Sequence, residues 1–229
     1  MTAQFPEAIL FDMDNTLHDF YSAKIASCEA VIDTIQQGDP TTLLRYFLSG
    51  GRGYENVENI RAYMHDLGIE DEELFHQASK TYEEVKLSKT HLYDGVKETL
   101  HTLSAEGIPM GIITDAESKE AEKRLRKNDI DHFFSGMSTP DLSGRRKPDE
   151  ECFRFALTSL GITEYSESPE RYWVVGDSPR REIEPANMMG MTSVYAIYGD
   201  WMKIPYPSIQ PHHTINTFSE ILTILNLSD

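Results

Sequence analysis

Two carboxylates and a hydroxyl stand close together in Asp12-Met13-Asp14-Asn15-Thr16, directly after the apolar run Ala8-Ile9-Leu10-Phe11. A short apolar run of this kind reads as a buried strand, so the acids fall where a strand opens into a loop. Crowded carboxylates raise one another's pKa unless a cation or a shared proton lies between them, and a divalent metal is expected here. Two other readings exist for the pentad. The acids can serve only to cap the next helix. A calcium loop of the EF-hand kind starting at Asp12 needs Gly at its sixth position and Glu at its twelfth; Leu17 and Ala23 occupy them, which excludes it.

Such acids act only if a scaffold holds them. Apolar runs ending in small or polar residues recur at Met110–Ile113, Trp173–Val175 and Val194–Ile197, with weaker strand candidates at Phe133-Phe134 and Thr214-Ile215. Helical periodicity occupies Val96–Leu103, Glu117–Lys127, Glu150–Leu160, Ile183–Met189 and Phe218–Leu225. Strands alternating with helices predict an α/β fold built on a parallel sheet covered on both faces. Residues 18–93 break that rhythm, with helical periodicity, charged faces and no buried strand; they predict a helical subdomain inserted into a core of residues 1–17 and 94–229. Inside the insert, Ser49-Gly50-Gly51-Arg52-Gly53-Tyr54 is too glycine-rich to continue a helix and predicts a flexible loop.

Composition narrows the partners. The 229 residues suffice for a full core, and the formal charge of -17, spread along the chain, describes a soluble, self-repelling surface that disfavours nucleic acid. No stretch approaches the roughly 18 to 20 continuous apolar residues of a membrane span. The start Met1-Thr2-Ala3-Gln4-Phe5-Pro6 lacks the basic segment and apolar core of a signal peptide, so a cytoplasmic location is expected. Cys28 and Cys152 lack metal or redox spacing and read as ordinary thiols. Nothing in the sequence indicates an oligomeric state.

Ligands of parallel α/β sheets gather beyond the carboxyl ends of the strands, so the residues following each run belong together. They are Asp12 and Asp14, then Thr114-Asp115, then Gly176-Asp177-Ser178-Pro179-Arg180-Arg181-Glu182, with Arg145-Arg146-Lys147-Pro148 in the connection before the last. This ordered set resembles the haloacid dehalogenase-like hydrolase superfamily, whose four motifs are DxDxT, an apolar run ending in Thr or Ser, a Lys, and GDxxxxD. The resemblance covers the entire chain and implies a Rossmann-like core with residues 18–93 as a helical cap. Dehalogenase members lack the second Asp of the first motif and phosphonate-cleaving members replace it, so Asp14 places the likeness in the phosphatase and phosphomutase branch.

The resemblance implies a Mg²⁺-dependent phosphatase of a small phosphorylated metabolite: a sugar phosphate, a short-chain phosphate ester or a nucleoside monophosphate. Asp12 would attack phosphorus to form an aspartyl-phosphate, while Asp14 would protonate the leaving alcohol and then take a proton from the attacking water. The Asp12 carboxylate, the Asp14 backbone carbonyl and Asp177 would hold the metal. Thr114 would bind a phosphoryl oxygen, or merely cap a helix; Lys147 would neutralise charge on Asp12 and the phosphoryl group, or be a solvated loop lysine. Glu182 stands where the family more often has Asp, and would lie at the metal or just behind its ligands, orienting them. Arg180 and Arg181 would pair with surface acids. Asp115, Arg52, His18 and Tyr21 are the substrate candidates, the last three with packing or surface roles as alternatives. A phosphomutase shares all four motifs and is the enzymatic rival; a catalytically inactive metal-binding regulatory protein is the third reading.

Overall fold

The computed structural model describes residues 5–49, 51–164 and 167–227. In chain order its elements are β1 (Ala8–Phe11), α1 (Phe20–Ile35), α2 (Pro40–Leu48), α3 (Glu58–Asp66), α4 (Glu72–Lys89), α5 (Val96–Ala105), β2 (Met110–Ile113), α6 (Ser118–Lys127), β3 (Gly136–Ser138), α7 (Pro140–Ser143), α8 (Glu150–Ser159), β4 (Tyr172–Gly176), α9 (Glu184–Met188), β5 (Thr192–Ala196), β6 (His213–Ile215) and α10 (Glu220–Ile224). The chain divides into two compact units, Met1–Asp19 with Leu92–Asp229, and Phe20–His91.

The first unit is an α/β sandwich around a six-stranded sheet in the order β3-β2-β1-β4-β5-β6, with every pair parallel. The neighbouring interior strands β1 and β2 are wholly buried because helices cover both faces, and the side chains of β1 alternate between two cores. Ile9 and Phe11 join Val96, Leu100, Leu125, Phe218 and Ile221 on one face. Ala8 and Leu10 join Phe153, Ala156, Leu157 and Ala186 on the other. The strand order reverses between β1 and β4. The loops leaving those two strands therefore part in opposite directions and open a crevice at their carboxyl ends.

Two sequence expectations are corrected here. The third strand is Gly136–Ser138, not Phe133-Phe134, which lie at the end of a short 3-10 turn over Asp131–Phe133. Phe134 packs its ring edge-on to Phe11 at 6.2 Å. The chain next to β2 must instead be slim, since a Cβ at Gly136 would stand 2.3 Å from Ser159 Oγ at the end of α8. The helix expected over Ile183–Met189 begins earlier, as a π-helical turn over Pro179–Ile183 that runs into α9. Such turns concentrate at functional sites because they re-aim a side chain without ending the helix; here Glu182 is the residue re-aimed inward, and it is fully buried.

The second unit consists of α1 to α4 around Cys28, Val31, Leu43, Phe47, Ile60, Met64, Phe75, Ala78 and Tyr82. Phe47 and Tyr82 stack with centroids 4.5 Å apart. Asp39 caps α2 by accepting from Thr42 N, ahead of Pro40, and Asp71 caps α4 by accepting from Leu74 N. Of the glycine-rich segment, Gly50 lies outside the described residues. The part from Gly51 onward is tied down: buried Asn59 donates to the Gly53 carbonyl at 2.9 Å, buried Lys24 to the Tyr54 carbonyl at 2.8 Å, and buried Lys86 to Glu55 at 3.1 Å. Buried polar groups require partners, and these take theirs from the loop. Among the described residues no helix is long and apolar enough to cross a membrane.

Candidate active site

The crevice between β1 and β4 collects the acids. Asp12 still belongs to the ladder through its N–H, which donates to the Val175 carbonyl at 2.9 Å. Its side chain leaves the sheet into a buried niche, where Thr16 Oγ1 donates to Oδ2 at 3.0 Å and Lys147 Nζ donates to Oδ1. Lys147 comes from the loop between α7 and α8; it also donates to the Ile113 carbonyl at 3.2 Å and stands 2.7 Å from Glu182 Oε1. Burial works against the ammonium charge, but Asp12 and Glu182 outweigh it and hold the Lys147 pKa above its ordinary value. The solvated-lysine alternative is therefore excluded. Glu182 is engaged on both oxygens, since Oε2 accepts from Ser178 N at 2.9 Å.

Thr114 is not a helix cap, because Glu117 occupies that position for α6. The Thr114 hydroxyl oxygen accepts from Ala116 N at 3.2 Å, which leaves the hydroxyl proton for an outside acceptor. Asp115, a substrate candidate in the sequence, is occupied with the protein itself. Its Oδ1 accepts from Lys147 N at 3.0 Å and its Oδ2 from Arg181 at 2.7 Å, while its carbonyl accepts from Arg146 at 2.7 Å. One residue thus fastens the Lys147 loop and the π-helical turn to the end of β2.

Charge does not balance in this niche. Asp12, Asp115, Asp177 and Glu182 bring four carboxyl groups together, and Lys147 and Arg181 supply two cations. Burial, then Asp12 and Glu182, push the Asp177 carboxyl well above the usual carboxylate range. That surplus fits a hard divalent cation held by oxygen. Among the described residues no three His, Cys, Asp or Glu side chains form a metal cage by themselves. The expected set, two carboxylates with the Asp14 backbone carbonyl, would leave half of an octahedral shell to water and substrate, which is how Mg²⁺ is commonly bound.

Asp14 lies on the same loop, and its carboxylate pairs with Arg124 of α6. The loop is shaped by contacts the sequence reading missed. Asn15 takes a left-handed conformation, φ 65°, which Asn tolerates better than most residues. The Asn15 carbonyl packs so closely on Gly199 that a Cβ there would sit 1.7 Å from its oxygen. Tyr198 donates its hydroxyl to the Thr16 carbonyl at 2.6 Å. Only Arg124 left a sequence signal, since it shares the apolar stripe of α6 with Ala121 and Leu125. Gly199 and Tyr198 left none.

His18 is wholly buried, and neither ring nitrogen has a hydrogen-bond partner among the described residues. Burial first, then Arg124 and Lys127, push its pKa down to about 3. A wholly buried ring is the packing alternative rather than an exposed substrate contact. Tyr21 belongs to the helical unit, half-buried against that unit's core, and Arg52 is exposed on the loop there.

Known proteins resemble the chain along nearly its full length. A glyceraldehyde 3-phosphate phosphatase of Methanocaldococcus jannaschii is 27% identical over 231 residues, covering 96% of this chain and 96% of its own. A phosphoglycolate phosphatase of Pseudomonas fluorescens is 29% identical over 210 residues, covering 86% of this chain and 71% of its own. The crystal structure of a HAD-hydrolase from Bacillus subtilis bound to magnesium superposes with a TM-score of 0.75 at 21% identity, covering 97% of this chain and 100% of that one, and so shares the fold. The sheet order, the ordered motifs at its strand ends and a family-model match over residues 9–196 agree: the chain belongs to the haloacid dehalogenase-like hydrolases.

Proposed function

We propose that this enzyme is a Mg²⁺-dependent phosphatase that cleaves a small phosphorylated metabolite through an aspartyl-phosphate on Asp12. The observation that carries the reading is the Asp12 carboxylate itself, buried at the β1 end and gripped on separate oxygens by Lys147 and Thr16. A nucleophile fixed in this way meets phosphorus without reorganising, and Lys147 offsets the repulsion between two anions. Thr114 donates its free hydroxyl proton to a phosphoryl oxygen. Asp14 gives a proton to the leaving alcohol and then takes one from the water that hydrolyses the aspartyl-phosphate, which divides one hard displacement into two easier ones. Asp12, Asp177 and the Asp14 carbonyl hold the Mg²⁺, which when bound offsets phosphate charge and orients the phosphoryl group. Glu182 orients Lys147, and Asp115 with Arg181 holds the loop that carries it.

The two named relatives act on short-chain phosphate esters, which favours that class of substrate. In this reading the unit Phe20–His91 is a cap that excludes water and recognises the rest of the substrate, with Arg52 among the residues doing so.

Phosphate release from a panel of phosphorylated metabolites tests the proposal. The enzyme is expected to release phosphate with Mg²⁺ and not with a chelator. Asp12→Asn is expected to remove turnover by about 10³-fold or more while the melting temperature holds. Near-normal rates in Asp12→Asn, or full activity under chelation, would sink the mechanism. An isomeric phosphosugar formed without phosphate release would make it a mutase.

A further inference from the structure

Arg124 occupies an odd place. It stands on the buried stripe of α6 between Ala121 and Leu125, where a leucine or methionine would satisfy the helix equally well. Its side chain is 1% exposed, and its Nη1 donates to Asp14 Oδ2. Asp14 is 17% exposed. The pair is therefore graded: the cation is sealed, while Asp14 keeps some contact with solvent although its Oδ1 is itself buried. Burying a guanidinium costs several kcal/mol, which packing of α6 does not require. A guanidinium does what a methionine cannot, holding one carboxylate oxygen, Asp14 Oδ2, in a charge-assisted hydrogen bond that restrains the side-chain rotamer.

We propose that Arg124 is a positioning residue that aims the Asp14 carboxyl at the leaving oxygen and touches no substrate itself. This rests on the reading of Asp14 as the proton donor. The loop around Asp14 supports it: Asn15 is pinned against Gly199 and Thr16 is held by Tyr198, so the backbone on the far side of Asp14 is held while Arg124 acts on its side chain.

The test compares wild type, Arg124→Met, Arg124→Lys, Asp14→Asn and the Arg124→Met, Asp14→Asn double variant in Mg²⁺. Single-turnover alcohol release is read for an alkyl phosphate and for nitrophenyl phosphate, alongside thermal melting. Arg124→Met is expected to slow the alkyl ester by about 10- to 100-fold and the nitrophenyl ester by less than about 3-fold, because only the first leaving group needs a proton. Arg124→Lys keeps the buried charge, and so the fold, but loses the planar fork; it is expected to show the same preference at smaller amplitude. In the Asp14→Asn background, Arg124→Met is expected to add nothing, since the two act as one unit.

Equal slowing of both esters by the Arg124 variants, or a further loss in the double variant, would overturn the proposal. The Asp14→Asn enzyme separates the two ways of failing. If it discriminates between the esters and the Arg124 variants do not, Arg124 alone is misassigned. If Asp14→Asn slows both esters alike, Asp14 is not the donor, and both assignments fall.

Discussion

Each unit of this protein buries a lysine against two carboxylates, and the two arrangements differ in what lies around them. Lys147 is 1% exposed, with Asp12 and Glu182 sealed in beside it at 5% and 1%. Lys86 is 3% exposed, but its partners Glu55 and Glu83 keep 27% and 40% of their side chains in water. Water screens the second group, so it acts as a structural tie between α4 and the 51–57 loop. In the first group the paired carboxylates are shut away from water, and burial first, then Asp12 and Glu182, raise the pKa of neighbouring Asp177. A buried lysine does not mark a reactive site; a sealed excess of negative charge around it does.

The largest effect expected from this comparison is that of Lys147→Met. Turnover should fall by about 10²- to 10³-fold, as when a charge-stabilising donor is removed from a reacting oxygen. Stability at neutral pH should fall by about 3–5 kcal/mol, because the carboxylates are left uncompensated. The stability loss should shrink in acid, as Glu182, whose pKa burial raises, takes up its proton, and denaturant titrations at several pH values would show it. A Lys147→Met enzyme with normal turnover would remove the distinction between the two lysines.

His18 provides a smaller and sharper test, because the same unit buries it without an anionic partner and keeps it neutral. Its folded pKa of about 3 lies below the ordinary 6.5. The unfolded chain therefore protonates first as pH falls, and the contribution of His18 is complete above pH 6.5 and lost from there toward pH 3. The slope should reach about 1.4 kcal/mol per pH unit below pH 6. Unfolding free energies measured between pH 7 and 4.5 should show that slope in the wild type and a flatter one in His18→Leu. An unchanged slope would mean that His18 is paired or solvated in the folded protein.

The smallest effect belongs to Lys86→Met. Its carboxylate partners can turn to water, so stability should fall by about 1 kcal/mol and turnover of nitrophenyl phosphate should stay within about 2-fold. A loss of turnover approaching that of Lys147→Met would show that the two lysines do not differ in kind.

Much of the scaffold was legible before folding was considered. Ala8–Phe11 and Met110–Ile113 coincide with the observed β1 and β2, because a central strand buried on both faces needs an unbroken apolar run. The acids beyond those runs were legible for the same reason, since charge cannot remain in such a strand and must follow it. The third strand was not legible. At the sheet edge α8 demands glycine rather than bulk at position 136, and no apolar run marks it.

Local sequence pattern accounts for the parallel sheet, the break in rhythm after the first motif, and the types of side chain standing at the strand ends. Each of these follows from local pattern, the period of apolar residues and the punctuation between runs. Folding alone brings Lys147 to Asp12 across 135 positions of sequence, and Arg124 to Asp14 across 110. Folding also makes Asp115 a fastening between Lys147 and Arg181, and leaves no room for a side chain at Gly199. These are encounters between distant segments, set by strand order and helix packing. A lysine or arginine in a charged stretch reads as solvated until the fold shows what lies beside it.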